Sequence, residues 1–572
     1  MKLILLGLDG ATWDVLEPLL TLGVLPNLER LRREGSAGVL RSVFPPLSPV
    51  AWTSAMTGKN PGKHGVFEFL EHGHNPLHGR VNSSRSIHSE LLWEIAGRHG
   101  KKTIVGGVPM SYPPRPAAGF PGFYLGDFLS PSNAEDFTTD PKIFSELERE
   151  VGPYRPWSTV VHDGGNESAV LEDLIAFADQ HLKAVAFLMK RCDWDLLIFD
   201  VMATDRWGHE LWHVWDLTHP RARNRATELE RLRPRMLAFW KTLDEGIGAI
   251  LDRLPADASL LILSDHGFGP IEKYVNLNTW LLEQGYLVLK DSFYVRQKHW
   301  FFKRGVTPEW VYGLMGRLGM AGHRVSRFRG KQQSVLDRLG ESVFLSRRHV
   351  DWARTRVYAQ GNFGQIYVNQ RGRQPLGCVL PEEVEPLIDE LADRLRKLVD
   401  PEVGAPLVEQ VFRRHELYDG PQAHLGPDLT VVLGDWRYRT IGLHDFTTHR
   451  VVSPAFGPTG DHRMEGIFLA AGPAFRAHAA VAQANLLDIA PTALHVLGVQ
   501  VPGDFDGRVL TELLNDSLGA VPETQTMETP GASRAAGLSP GAPGLAVPPI
   551  FPGYSEEEEQ AIQKRLTDLG YL

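Results

Sequence analysis

The chain has 572 residues and a formal net charge of −9 at pH 7, which excludes a nucleic-acid binder that works through bulk positive charge. Cys192 and Cys378 are its only cysteines, which excludes a disulfide framework and a metal site made of cysteines alone. The composition, 43% hydrophobic and 23% charged, is typical of a globular protein, and the length suffices for one large core or for two to three domains of about 100–200 residues each.

The N-terminal segment is a short apolar run, Leu3–Leu8, that ends in Asp9 and Gly10. A run that is apolar on both faces fits a central parallel strand. It is too short for the core of a signal peptide followed by a cleavage site, and no transmembrane segment is visible elsewhere. We therefore predict a first strand here and a cytoplasmic location.

Helices predicted over Thr12–Leu20 and Asn27–Glu34 lead to the stretch Pro45–Gly58, around which we expect the chain to be organised. In this stretch Ser48 fits an N-cap and Pro49 a first helical residue. The start of such a helix can hold an anion, and a Ser hydroxyl there could attack a phosphoryl group. By itself the pattern also fits an ordinary Ser–Pro helix start.

Up to residue 271, apolar strands alternate with helices, which predicts an α/β fold with a mostly parallel central sheet and helices on both faces. Residues 111–165 are rich in Pro, Gly, Ser and Asp, and we expect loops over the active face. The remaining segments are strands at Lys102–Val108, Asp195–Val201 and Ser259–Leu263, and helices at Ser89–His99, Leu171–Lys190 and Thr227–Leu254.

Residues 272–360 interrupt this alternation, and we interpret them as a cap insertion with a short helix at Asn278–Gln284. One interpretation is that the cap attracts an anionic substrate or a lipid surface. The alternative is that its aromatic side chains pack on the main domain while its charged side chains are solvated. Its basic and aromatic residues are Arg296, Lys298, Trp300, Phe301, Phe302, Lys303, Arg304, Trp310, Arg317, Arg324, Arg327 and Arg329.

The rest of the chain returns to strands and helices and ends in a linker and one more helix. Residues 516–549 have linker composition, and the segment from Ser555 to Leu569 predicts an amphipathic helix that docks on the body or binds a partner. Strands are predicted at Val357–Asn369, Leu429–Leu433 and Gly466–Ala470, and helices at Pro381–Lys397 and Leu486–Leu497. The predicted units are a core of residues 1–271 and 361–515, the cap 272–360, a flexible linker 516–549 and a C-terminal helix 550–572.

Residues that ligate metals follow three of the apolar runs, and a fourth motif at residues 460–463 adds one more histidine. In open α/β sheets the working crevice lies beyond the carboxyl ends of the strands, so we expect these side chains to meet beside Ser48. Mixed Asp and His sets suit zinc, with manganese or iron as alternatives. Each motif alone also fits surface or core-capping residues. The candidate ligands are Asp9, Asp205, His209, Asp265, His266 and His462.

Three further histidines are alternative candidates for metal ligands or substrate contacts. His444 and His449 lie near His462 in the sequence and are rival ligands or substrate contacts. His64, in the turn-rich segment 59–65, either touches a substrate or serves a structural purpose.

The order of these motifs resembles the alkaline phosphatase superfamily, specifically its type I phosphodiesterase/nucleotide pyrophosphatase branch. The resemblance covers roughly residues 1–275 and 355–515. It rests on the motifs Gly7–Gly10, Pro46–Gly58, Pro61–Gly65, Asp205–His209, Ser264–Gly267 and Gly460–His462, with Asp488–Thr492 and Asp506–Arg508 near the end.

The resemblance implies an alkaline phosphatase-like fold and a phosphoric ester hydrolase with two divalent metal ions. It implies a covalent phospho-Ser48 intermediate and a small-molecule phosphate ester as substrate, such as a nucleotide or a lipid head group. One ion would be surrounded by Asp9, Ser48, Asp265 and His266, and the other held by Asp205, His209 and His462.

Two departures from the family pattern narrow this expectation. Ser48 stands where characterised nucleotide pyrophosphatases mostly have Thr, and the place of their phosphate-binding Asn reads Val66–Leu70, without Asn, which leaves nucleotide specificity open. The segment Ser48–Trp52 lacks the Arg of the sulfatase signature and has its Pro one place early, which argues against a sulfatase. Two alternative functions stay open: a metal-dependent phosphomutase or phosphotransferase, and a non-catalytic, metal-stabilised binding protein.

Overall fold

The computed structural model describes residues 1–71, 79–115, 122–132, 134–308, 310, 344–442, 446–519 and 554–571. Predictions that concern His444, the linker from residue 520 to 549, and the cap residues Arg317, Arg324, Arg327 and Arg329 lie outside these ranges.

The strands, in chain order, are β1 (Lys2–Leu8), β2 (Ser36–Arg41), β3 (Leu70–Glu71), β4 (Arg80–Val81), β5 (Thr103–Gly106), β6 (Gly122–Leu125), β7 (Leu196–Val201), β8 (Ala258–Leu263), β9 (Gly267–Pro270), β10 (Lys273–Asn276), β11 (Val357–Ala359), β12 (Gln365–Val368), β13 (Val408–Arg413), β14 (Leu429–Leu433), β15 (Tyr438–Ile441), β16 (Val452–Pro454), β17 (Gly460–Arg463), β18 (Glu465–Ala471) and β19 (Ala484–Asn485).

The α-helices are α1 (Trp13–Thr21), α2 (Pro26–Glu34), α3 (Ser48–Thr57), α4 (Pro61–His64), α5 (Leu92–Arg98), α6 (Pro141–Val151), α7 (Glu167–Arg191), α8 (Ala203–Trp215), α9 (Ala226–Glu230), α10 (Arg233–Leu251), α11 (Leu277–Glu283), α12 (Phe293–Lys303), α13 (Pro381–Leu395), α14 (Arg414–Leu417), α15 (Ile489–Val496) and α16 (Glu556–Leu569).

The central sheet has eight strands in the order β19-β2-β18-β8-β1-β7-β5-β6. Strands β8, β1, β7, β5 and β6 are parallel, and β18 is antiparallel to both of its neighbours. Residues 3–8 of β1 are buried because β7 and β8 flank the strand and helices cover the sheet. The predicted α/β fold with a mostly parallel sheet is confirmed.

The helices form two packed groups that flank this sheet. Helices α2, α7, α8 and α10 pack on one another, and α3 packs with α5 and α15. Both groups bury their apolar faces in the main hydrophobic core. Among the helices described, none combines the length and the apolar composition that a membrane crossing needs.

A second hydrophobic core draws on residues between Val275 and Val452. It lies around the antiparallel sheet β11-β12-β14-β13 and the small sheet β15-β10-β16. Phe302 of the predicted cap belongs to this core and packs on Phe446 at 5.7 Å between ring centroids, whereas Trp300 is 50% exposed. The core therefore contains residues from both sides of position 360, and the division into core and cap stays a prediction from the sequence.

Some predicted elements differ from those observed, for local reasons. The helix expected over Thr227–Leu254 is two helices, α9 and α10, because Pro234 starts a new helix where its missing N–H costs nothing. The strand expected over Val357–Asn369 is a hairpin of β11 and β12, whose turn contains Gly361 and Gly364 at φ 79° and 78°. The segment 111–165, expected to be loops, contains β6 and α6.

Two other boundaries are set by hydrogen bonds. Helix α5 begins at Leu92 rather than Ser89 because the Glu94 carboxylate accepts from the Leu91 amide at 2.8 Å and fixes the first turn there. Residues 460–463, expected to precede a strand, are themselves the strand β17, which pairs with β9.

The last helix, α16, begins after Ser555 as predicted, with Ser555 and Glu558 forming a capping box. Its apolar residues Ile562, Leu566 and Leu569 are buried in the main core. The helix therefore docks on the body of the protein, one of the two predicted alternatives.

Candidate active site

The candidate ligands meet at the carboxyl ends of three adjacent strands. Asp9 follows β1, Asp265 and His266 follow β8, and α8, which follows β7, carries Asp205 and His209 on the same face one turn apart. Strand β17 pairs with β9, which directly follows His266, and this pairing brings His462 to the same place. All six side chains are buried.

The first group of ligands consists of Asp9, Asp265 and His266. Nε2 of His266 lies 3.5 Å from Oδ1 of Asp9 and 3.4 Å from Oδ2 of Asp265. The hydroxyl of Ser48 lies 3.4 Å from the same Nε2. These separations suit three donors and one hydroxyl around a single cation.

The second group consists of Asp205, His209 and His462. Oδ1 of Asp205 lies 3.4 Å from Nε2 of His209 and 3.3 Å from Nε2 of His462, and the two Nε2 atoms are 2.9 Å apart. The rings of His266 and His462 stack at 3.6 Å between centroids, so the two groups adjoin. The structure thus brings together every ligand predicted from the sequence, together with Ser48.

The three histidines present the same nitrogen to the site. Each Nδ1 lies against a backbone carbonyl oxygen, which can only accept, so Nδ1 carries a proton and, in the neutral ring, Nε2 carries the lone pair. Burial lowers the pKa of His209 to about 4 and that of His266 well below its usual value, which keeps both rings neutral. The carbonyls are those of Gly460 for His209 at 3.0 Å, Pro46 for His462 at 2.7 Å and Gly267 for His266 at 3.1 Å.

The three carboxylates also share one arrangement. One oxygen of each is held by a hydrogen-bond donor, and the other, Oδ1 of Asp9, Oδ2 of Asp265 and Oδ1 of Asp205, is buried without a hydrogen-bond partner in the part of the chain that the structure describes. A buried carboxylate oxygen without a partner is costly unless a cation faces it. The donors are Nε1 of Trp52 to Asp9 at 3.1 Å, the Gly10 amide to Asp265 at 3.3 Å and the Tyr571 hydroxyl to Asp205.

The electrostatics of the carboxylates agree with this arrangement. Burial, reinforced by neighbouring carboxylates, raises the pKa of Asp9 and of Asp265 well above the ordinary value. A divalent cation beside Asp9 and Asp265 would favour their charged forms and remove the conflict.

These observations fit bound divalent cations. Three unpartnered carboxylate oxygens and the Nε2 atoms of three histidines lie close together in the buried interior. Such a mixed oxygen and nitrogen donor set is one that zinc or manganese accepts.

Ser48 differs in one detail from the sequence prediction. The N-cap of α3 is Leu47, whose carbonyl accepts from the amides of Val50 and Ala51 at 2.8 Å each, so Ser48 is the first helical residue and Pro49 the second. The Ser48 hydroxyl therefore does not cap the helix but faces His266. The N-terminal end of the ten-residue helix, with its partial positive charge, lies at the same place.

His64 and His449 lie elsewhere. Nε2 of His64 is bonded to the Ser54 hydroxyl at 2.9 Å, and its Nδ1 accepts from the Val66 amide at 3.2 Å, which is a structural role. The ring of His449 lies 6.5 Å from that of Phe302, a residue of the second core. Neither belongs to a group with metal-ligand spacing among the described residues.

Another group with ligand spacing consists of His162, Glu167 and His213. His213 lies on α8, one turn beyond His209. Arg225 binds the Glu167 carboxylate through two contacts of 2.6 and 3.1 Å. The charge of Glu167 is therefore already neutralised, and we interpret this group as a buried ion-pair network.

Sequence reasoning did not find the residues that support the ligands. Trp52 lies four residues after Ser48, a helical spacing that could have indicated a shared face. Asp461, next to His462, pairs with Arg439 at 3.0 Å. Tyr571 lies 366 positions from Asp205, and no spacing rule connects residues so far apart.

Comparison with known proteins places the chain in a family. A family model described as type I phosphodiesterase/nucleotide pyrophosphatase matches residues 3–442. A search of curated proteins found no match.

Solved structures share low sequence identity with the chain. Phosphonoacetate hydrolase from Sinorhizobium meliloti 1021 in complex with phosphonoformate is 14% identical with a TM-score of 0.49, and the match covers 87% of this chain and 96% of that chain. Human ectonucleotide pyrophosphatase/phosphodiesterase 5 is 16% identical with a TM-score of 0.47, covering 90% and 100%. An inactive form of the murine protein in complex with AMP is 15% identical with a TM-score of 0.48, covering 90% and 100%.

The family model spans more than half of the chain. Its match agrees with a site in which Asp and His ligands surround a serine at a helix start. The chain therefore belongs to the type I phosphodiesterase/nucleotide pyrophosphatase family, and it is a metal-dependent phosphoester hydrolase of that kind.

Proposed function

We propose that this protein cleaves small-molecule phosphoric diesters through a covalent intermediate on Ser48, with zinc as its metal. The observation that carries the proposal is the place of the Ser48 hydroxyl, 3.4 Å from Nε2 of His266 and beside six buried ligands. Two divalent cations held by these ligands would lower the pKa of the hydroxyl and offset the negative charge that builds on the phosphoryl oxygens.

The chain's own residues supply the rest of the chemistry. The Ser48 hydroxyl gives up its proton to solvent and its oxygen forms a bond to phosphorus, while the bond from phosphorus to the leaving-group oxygen breaks and the electron pair goes to that oxygen. The start of α3 directs its partial positive charge toward the phosphoryl oxygens. Water then cleaves the phosphoryl–Ser48 bond, and the serine hydroxyl and a phosphoric monoester are released.

A cavity beside His462 supports a small-molecule substrate. Its lining combines the aromatic rings of Phe363 and Trp436 with the guanidinium groups of Arg439 and Arg463. Asp461 also lines the cavity and pairs with Arg439, so the aromatic rings carry this argument. Aromatic side chains bind planar groups, and the cavity would suit a planar part of the non-reacting ester group, as in a nucleotide.

The proposal is tested with a generic diester. Full-length protein is stripped with a chelator, reloaded with zinc or with manganese, and assayed on bis(4-nitrophenyl) phosphate and on 4-nitrophenyl phosphate. We expect metal-dependent release of one 4-nitrophenolate per diester, with zinc more active than manganese. An alcohol acceptor should yield little mixed diester, whereas efficient transfer to the alcohol would indicate a phosphotransferase.

The variant Ser48→Ala should lower diester turnover to background while it retains bound metal. Ser54→Ala is the matched control, because Ser54 is a buried serine of the same helix whose hydroxyl contacts His64 instead of the ligands. Turnover by S48A at the rate of S54A would remove Ser48 from the nucleophile role.

A further inference from the structure

The segment after α16 enters the active site. Arg565 of this helix donates to the carbonyl oxygens of Phe128 and Ser130, the latter at 2.8 Å, and its guanidinium lies 3.4 Å from the centre of the Trp157 ring. Gly570, at φ 88°, ends the helix in the left-handed conformation and turns the chain toward the ligands. Residues 565–571 are thus anchored against the body of the protein.

Tyr571 lies within this anchored segment and is only 4% exposed. Its ring lies 5.0 Å from that of Phe69, 6.0 Å from that of Phe128 and 5.5 Å from that of His209, measured between centroids. Its hydroxyl donates to Oδ2 of Asp205. The ring is therefore held in place by packing, and the hydroxyl meets a ligand of the second group.

A second contact ties the same segment to the next residue of α8. Arg206 is fully buried, and its guanidinium donates to the carbonyl oxygen of Leu569. Two consecutive residues of α8, one of them a ligand, are therefore bound by residues 569–571.

We propose that Tyr571 is a positioning residue that fixes Asp205 as a one-oxygen metal ligand. Its hydroxyl donates a hydrogen bond to Oδ2 of Asp205, and the other oxygen, Oδ1, faces His209 and His462. Trp52 does the same for Asp9, and the Gly10 amide does it for Asp265. Donors of this kind orient a ligand and set its basicity. The inference rests on the proposed function, and it makes α16 part of the second metal site.

Tyr554, which lies just before α16, does not need such a partner. Its side chain is half-buried and stacks on Tyr112 at 6.0 Å between centroids, and its hydroxyl is buried without a hydrogen-bond partner within the described ranges of the chain. It is the matched control, because Tyr554→Phe removes a buried hydroxyl near the start of α16 without touching a ligand.

The test is a metal titration of the full-length chain, which does not depend on turnover. Chelator-stripped wild type, Tyr571→Phe and Tyr554→Phe are titrated with zinc in competition with a chromophoric chelator. We expect two ions in each protein, one of them bound about 10–100-fold more weakly by Y571F, and both bound normally by Y554F. Thermal unfolding of the metal-free variants checks that both retain the fold.

A second background separates positioning from general packing. Asp205→Asn weakens the same ion directly, so adding Y571F to D205N should change the zinc affinity by less than twofold. If Y571F weakens zinc binding by the same factor in the D205N background as in wild type, the effect comes from packing and the inference is wrong.

The other outcomes are also decisive. If Y571F binds both ions with wild-type affinity, the inference is wrong and the proposed function still stands. If diester kcat/KM also rises in Y571F at unchanged affinity, the segment blocks the site instead of positioning a ligand. A wild-type protein that binds fewer than two ions would instead contradict the proposed function, and the inference with it.

Discussion

The Nε2 atoms of His209 and His462 face each other at 2.9 Å, and because both Nδ1 atoms donate to backbone carbonyls, both Nε2 atoms carry lone pairs when the rings are neutral. Two lone pairs at this distance repel unless a cation lies between or beside them. Replacing His462 with Ala should therefore remove one ion, so that elemental analysis of the reloaded protein gives about one equivalent where wild type gives two. Diester turnover should fall to background. Two retained equivalents in H462A would show that His462 is not a ligand.

The Trp52 indole tests the first group of ligands. Trp52→Phe keeps a large aromatic side chain but removes the donor to Oδ2 of Asp9, and we expect about 10–100-fold weaker binding of one ion in a zinc titration. Trp240→Phe is the control, since the Trp240 ring is buried but its N–H has no hydrogen-bond partner in the described part of the chain. Equal zinc affinities of W52F and W240F would contradict a role for the indole N–H.

Gly208, between the two ligands of α8, leaves no room for a side chain. A Cβ there would lie 2.6 Å from the Phe268 ring, which packs on His209 at 4.8 Å between centroids. We expect Gly208→Ala to lower the free energy of unfolding by about 1–3 kcal/mol and to reduce turnover, because Phe268 must move against the ligand.

Urea unfolding measures the first effect, and Gly165→Ala is the comparison, because nothing lies within 4 Å of a Cβ at Gly165. A stability of G208A equal to that of G165A would contradict this packing.

His64 makes the stability of the metal-free protein depend on pH. Burial, with His88 and Lys59 nearby, lowers the pKa of His64 from 6.5 to about 3. Below pH 6.5 the unfolded chain binds a proton that the folded protein excludes, so the free energy of unfolding falls as the pH falls from 6.5 toward 3. The loss attributable to one such group is about 1.4 kcal/mol per pH unit.

In His64→Asn this contribution is absent, and urea unfolding in excess chelator between pH 6.5 and 5 should show a shallower loss of stability than in wild type. Other buried histidines, such as His181 with a pKa of about 4, keep a residual slope in both proteins. Identical slopes would mean that His64 is protonated in the folded state.

Much of the fold could be predicted because it rests on local patterns. The apolar run Leu3–Leu8, the helix start at Ser48 and the cap at Ser555 were each readable from neighbouring residues. Elements within residues 111–165 could not be predicted in this way, because β6 is held by its pairing with β5 and α6 by packing on α7, and both partners lie outside this Pro- and Gly-rich segment. The cytoplasmic location and the domain boundaries stay predictions.

The ligands could be predicted because strand ends of a parallel sheet share one edge, which relates Asp9, Asp205 and Asp265 without any structure. The supporting donors could not. Whether Trp52 or Tyr571 reaches a carboxylate depends on side-chain packing. Tyr571 directly follows α16, and the sequence indicated the apolar face of this helix but not the surface on which that face docks.

The central claim, that Ser48 carries the reacting group, is tested most directly by trapping. Zinc-loaded protein is mixed with excess bis(4-nitrophenyl) phosphate, quenched in acid within the first turnovers, digested and analysed by mass spectrometry. We predict a burst of about one 4-nitrophenolate per active site and a 4-nitrophenyl phosphoryl group on the peptide that contains Ser48. Steady turnover with no burst and an unmodified Ser48 peptide would contradict the account.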